Sequence, residues 1–168
     1  MSAPVTRIAT IVLSCVVVVG CDSTSDQPAA NAPAAGAGEA AHDLHDVPLT
    51  QQQIEALRSG IADYSDALAR IKSYRDAIRD AIAAGDPPTA HRPLDELDIV
   101  LQHLTTVARN SNVARTNWES VNTSAQQLRD LFNQVHAEID AGAAPDFQAR
   151  AADVDAAIQR LESIPAEG

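Results

Sequence analysis

From residue 54 onward, apolar side chains recur at alternating steps of three and four. Ile54, Leu57, Ile61, Tyr64, Leu68, Ile71, Ile78 and Ile82 lie on one such line, with Arg75 in its single polar slot. That spacing is the seam of a helix and not the two-residue alternation of a strand. Thr50 and Gln53 stand at the spacing of a capping box, and Leu49 at the position that staples onto Ile54. Gly85 suits the left-handed residue just past a helix end, and Pro87 and Pro88 prevent continuation. The pattern predicts one helix from the Thr50 cap to Gly85.

Three more helices follow from the same reading. Leu94, Leu97, Leu101 and Leu104, flanked by Val100 and Val107, form a second seam, with Pro93 in its first turn. Asn110-Ser111-Asn112 reads as a turn. Trp118, Val121, Ala125, Leu128, Phe132, Val135 and Ile139 form a third seam that ends at Gly142, with Pro145 beyond. Thr116 and Glu119 have capping-box spacing, which places its start between 112 and 117. A fourth helix has Asp146 as its cap, carries Phe147, Ala151, Val154, Ile158, Leu161 and Ile164, and stops at Pro165. Short loops make successive helices antiparallel neighbours, so residues 49–168 are expected to form an all-α, up-down-up-down four-helix bundle. A shift of 57 residues lays the first pair of helices on the second. Ile82 then meets Ile139, Gly85 meets Gly142 and Pro88 meets Pro145. Duplication of a hairpin and convergence of two hairpins with equal loops both give this match.

The first 48 residues follow another pattern. Arg7 precedes an apolar run from Ile8 to Val19, about 12 residues long and too short to span a bilayer of roughly 30 Å as a helix. Val18, Val19, Gly20 and Cys21 follow, and this segment resembles the lipobox of bacterial lipoproteins. The resemblance implies cleavage after residue 20, diacylation of the Cys21 thiol, and a membrane anchor facing the periplasm or the exterior. Two or three acyl chains hold firmly, at about 0.8 kcal/mol per buried CH₂. Residues 22–48 are small and polar, punctuated by Pro28, Pro33, Gly36 and Gly38. Such a stretch cannot bury enough apolar area to order itself, and as a flexible tether it would reach roughly 30 Å.

Charge and cysteine content narrow the function classes. The chain carries 12 basic and 23 acidic side chains, a net charge of −11, and loss of Arg7 with the leader makes the balance more negative. Such a surface repels nucleic acid and anionic headgroups and favours a cationic or protein partner. Aromatic residues make up only 3% of the chain, which removes the usual platform for stacking bases. The lipobox resemblance implies that Cys15 is lost with the leader and that Cys21 is used for lipid. The mature chain therefore has no disulfide, no thiolate cluster and no cysteine nucleophile. No nucleophile elbow, zinc-protease helix, phosphate loop or dinucleotide glycine pattern is present, so an enzyme is not expected.

Five histidines are the remaining candidates for chemistry. His91 opens the second helix and His136 lies near the end of the third, with Asp86 and Asp140 at the same end of the expected bundle. Two imidazoles with carboxylates can hold a divalent metal. Metal sites inside bundles usually use an acid three residues before a histidine, yet Asn133 precedes His136 and Val100 precedes His103. The other reading of His91 and His136 is two exposed side chains without partners. His42 and His45, interleaved with Asp43 and Asp46, can bind metal weakly or simply be the solvated end of the tether. Arg75 on the seam is expected to snorkel, to pair with an acid across the bundle, or to mark a looser layer. Trp118 is expected to anchor one end of the core.

Size, export and fold resemble the periplasmic four-helix haem proteins of the cytochrome c-prime type. Their Cys-x-x-Cys-His attachment motif is missing here, and Met1 is the only methionine, so the Met/His ligation of the related b-type bundles is missing too. A haem-free relative is what this resemblance implies. Leu49-Thr50-Gln51-Gln52-Gln53 resembles the LTxxQ motif of periplasmic stress chaperones and metal sensors, which usually carry it twice. The expected function is a membrane-tethered, non-enzymatic helical binding or scaffold protein of the cell envelope that needs no cofactor. The alternative is a periplasmic protein that binds or senses a divalent metal. Residual apolar faces, such as that of Ile99, would allow a homodimer.

Overall fold

The first expected helix breaks in two. The computed structural model describes residues 47–165, and there α1 (Gln51–Ser59) stops at Gly60 and α2 (Tyr64–Ala83) starts four residues later. The chain has five α-helices among the described residues, not the expected four. The capping box at Thr50 forms: its hydroxyl accepts from the Gln53 amide at 3.3 Å, and the Gln53 side chain accepts from the Thr50 amide at 2.9 Å. The break is locally satisfied as well. The Gly60 amide bonds back to Ala56, the Asp63 carboxylate accepts from the Asp66 amide at 2.8 Å, and Asp66 accepts from the Ala62 amide at 3.0 Å. Arg70 donates to the Gly60 carbonyl at 2.6 Å. Gly60 and Asp63 thus end one helix and cap the next. The three-and-four spacing runs through the gap because Ile61 and Tyr64 still face the protein, half-buried and buried respectively.

α3 (His91–Asn110) follows a 3₁₀ turn at Pro87–Ala90, and α4 (Trp118–Asp140) follows another at Arg115–Asn117. The expected Thr116–Glu119 capping box does not form, and α4 begins without a side-chain cap. α5 (Gln148–Glu162) starts two residues after Asp146, whose carboxylate caps it by accepting from the Ala149 amide at 3.1 Å. Three helices close in the same way. Gly85, Asn112 and Gly142 take left-handed φ values of 75°, 58° and 69°. The next amide in each case bonds five residues back within the turn: Asp86 to Ala81, Val113 to Ala108, and Ala143 to Glu138. Gly85 and Gly142, matched by the 57-residue shift, therefore perform the same closure.

The core is built on the predicted seams. Leu94, Leu97, Val100, Leu101, Leu104 and Val107 of α3 are all buried, as are Val121, Leu128, Phe132, Val135 and Ile139 of α4. α2 adds Tyr64, Ala67, Ile71 and Ile78, and α5 adds Val154, Ala157, Ile158 and Leu161. α2 packs on α3, α3 on α4, α4 on α5, and α5 on α2, while α1 rests on α3. Tyr64 is buried, and its hydroxyl donates to the Leu161 carbonyl at 3.1 Å. Arg75 resolves its three-way expectation by pairing with Asp155 on α5 at 2.7 Å. Trp118 is half-buried against the core, with its indole N–H on the Val113 carbonyl and the Arg109 guanidinium 4.7 Å from its ring. Ile99 is half-buried, and Val47 is the large exposed hydrophobic residue among those described. None of the described helices is long and apolar enough to cross a membrane.

Candidate metal-binding cluster

His91 is the first residue of α3, delivered there by the 3₁₀ turn at Pro87–Ala90. His136 and Asp140 lie one turn apart on α4, and Asp140 is that helix's last residue. Residues four apart on a helix share a face, so the two side chains project together toward the start of α3. His91 Nε2 sits 3.0 Å from Asp140 Oδ1, and His136 Nε2 sits 3.7 Å from the same oxygen. The two imidazole rings lie 5.2 Å apart, tilted by 54°. One donor atom from each of the three residues lies within 4.8 Å of the others.

The expectation of exposed, partnerless histidines is overturned for this pair. The His91 side chain is 12% exposed and His136 31%, and both converge on Asp140, which is 58% exposed. The cluster therefore has a covered wall and an open one. His91 Nδ1, on the covered side, is buried without a hydrogen-bond partner. Asp86, expected nearby, instead accepts from the Thr89 hydroxyl at 2.6 Å and does not join the group. His103 joins no metal-donor group among the described residues and lies roughly 18 Å further along α3 at 1.5 Å per residue. Cys21, His42 and His45 lie outside the described residues.

The sequence placed His91, His136, Asp86 and Asp140 at one end of the fold, and of the two acids Asp140 joins the histidines. The usual bundle pattern has an acid before the histidine, and here the acid comes after it, in a His-x-x-x-Asp spacing. A cleft of about 220 Å³ opens beside His136 between α3 and α4, lined by Leu94, Asp98, Arg129 and Phe132 among others. That is smaller than the roughly 300–1,000 Å³ of an ordinary small-molecule pocket. The Asp98–Arg129 ion pair, at 2.7 Å, lies along it.

The two tyrosines of α2 are held neutral. Burial pushes the Tyr64 hydroxyl up to about 12. Burial, and then the charge of Glu96, pushes Tyr74 up to about 12. Neither is poised to exchange a proton near neutral pH. No protein-family model matches this chain, and no curated protein or solved structure matches it.

Proposed function

We propose that this protein is a lipid-anchored, non-enzymatic helical binding or scaffold module of a bacterial cell envelope, held by Cys21 and facing the periplasm or the exterior. The observation that carries this reading is the leader itself: Arg7, a short apolar run, and Val18-Val19-Gly20-Cys21 directly before a small, polar stretch. The first described helix starts at the Thr50 cap, and in this reading residues 22–48 are the tether between the bundle and the membrane.

In this reading α2 to α5 form an up-down-up-down bundle of two similar hairpins, with α1 laid on α3. Supporting it are pairs that run in opposite chain order on neighbouring helices. Lys72 meets Glu162 and Arg75 meets Asp155 between α2 and α5. His91 meets Asp140 and Asp98 meets Arg129 between α3 and α4. Arg150 meets Glu138 and Arg160 meets Gln127 between α4 and α5. The acid-rich composition, with net charge −11, suits a cationic or protein partner and disfavours nucleic acid. The absence of a catalytic motif in the sequence supports a binding role over an enzymatic one.

The test is membrane fractionation in a bacterial host fed labelled palmitate. The unmodified chain is expected in the membrane fraction with label. Cys21→Ser is expected to lose the label and leave the membrane. A Cys21→Ser chain that stays labelled and membrane-bound would refute the reading.

A further inference from the structure

We propose that His91, His136 and Asp140 hold one divalent transition-metal ion of the zinc class, and that the ion fastens the start of α3 to the end of α4. This does not depend on the lipid anchor. Two imidazole nitrogens and a carboxylate oxygen are the donor set that suits zinc and its neighbours, and they do not suit magnesium or calcium, which prefer oxygen alone. Zinc bonds of 2.0–2.1 Å in a tetrahedron place donor atoms about 3.3 Å apart. The separations of 3.0 Å and 3.7 Å onto Asp140 Oδ1 already bracket that figure. The widest separation in the group is within 4.8 Å.

Both Nε2 atoms lie beside the same carboxylate oxygen. Without metal, His91 fills the 3.0 Å contact by donating its Nε2–H to Asp140, and a bound ion would replace that proton. Asp140 also ends α4, where the helix carries partial negative charge, so a carboxylate there is disfavoured unless positive charge lies beside it. A divalent ion supplies that positive charge directly on the Asp140 carboxylate. Three protein donors leave at least one coordination position free, and the exposed side of Asp140 opens that position to water or to a donor from a partner. Because His91 opens one helix and Asp140 ends the other, the ion would close this end of the α3–α4 pair.

The test is zinc chloride titrated into the full-length protein, purified in detergent without added affinity histidines and stripped with chelator. Calorimetry is expected to give one zinc per chain. His91→Ala, His136→Ala and Asp140→Asn are each expected to weaken binding at least tenfold, because each removes a ligand, and even changes behind the ligands cost 10–100-fold. His103→Ala and the double change His42→Ala with His45→Ala are expected to leave binding unchanged. Circular dichroism melts keep the result readable. Each variant should show a cooperative transition without metal, and zinc should raise the midpoint of the unmodified chain but not that of His136→Ala. Absence of stoichiometric zinc would overturn the proposal. So would zinc binding that survives all three substitutions, or binding lost only with His42 and His45.

Discussion

α1 and α2 lie on one apolar line in the sequence, yet they are held by different forces. α1 has no buried residue; it is secured by the Thr50–Gln53 capping box and by resting on α3. α2 buries Tyr64, Ala67, Ile71 and Ile78 and packs on both α3 and α5. Both begin at a side-chain cap of similar chemistry, Thr50 in one and Asp63 in the other. The difference teaches that a period of three and four marks a helical face without saying how deep that face lies. Burial, and not helix propensity, is what ties a helix into the cooperative unit.

The largest contrast should come from truncating the seam on either side of the break. Ile71→Ala is expected to destabilise the whole fold by about 2–5 kcal/mol, whereas Leu57→Ala, at a half-buried site, should cost about 1 kcal/mol or less. Urea unfolding of the two variants gives the comparison directly, and equal losses would break it.

The alkaline limb is the next effect. Tyr64 opens α2, and burial pushes its hydroxyl from the ordinary 10.0 up to about 12. Between those values the unfolded chain releases its proton while the folded chain keeps it, so stability falls as pH rises past 10. Tyr64→Phe should flatten that part of the pH profile, leaving the share due to Tyr74, and should cost about 0.5–1.5 kcal/mol at neutral pH for the lost bond to Leu161.

The two caps separate the helices at smaller amplitude. Asp63→Ala and Thr50→Ala each remove one capping bond, worth about 1 kcal/mol. Asp63→Ala is expected to lower the global unfolding midpoint, because α2 is part of the core. Thr50→Ala is expected to speed amide exchange within α1 and leave the midpoint unchanged.

The smallest effect is acidic. The Ala62 amide, and then Arg70, hold the Asp66 carboxyl below its ordinary value of 3.8. The stabilisation is fully present above that value and is lost as pH falls through the lower folded-state value. Asp66→Asn should therefore blunt the acid sensitivity of the α1–α2 junction, as read by amide exchange at Ala62.

The seams of α3, α4 and α5 were legible because each alternates cleanly and ends at a left-handed residue or a proline. The break at Gly60 was not, because Ile61 and Tyr64 keep the apolar spacing across it. Gly60 and Asp63 were its only local marks. Arg75 was readable as an oddity, but its partner Asp155 sits on another helix and carries no sequence signal toward it. The histidine pair was placed at one end by topology alone. The covering of His91 depends on how α3 packs against α4, which no periodicity encodes. Asp140 was placed at that end with Asp86, and topology alone could not tell which of the two acids meets the histidines.

The central claim is the lipid anchor, and the most direct measurement is the intact mass of the protein extracted from bacterial membranes. The account predicts a chain that begins at Cys21 and carries the added mass of two or three acyl chains. A chain that still begins at Met1, or one that begins at Cys21 with a free thiol, would contradict it.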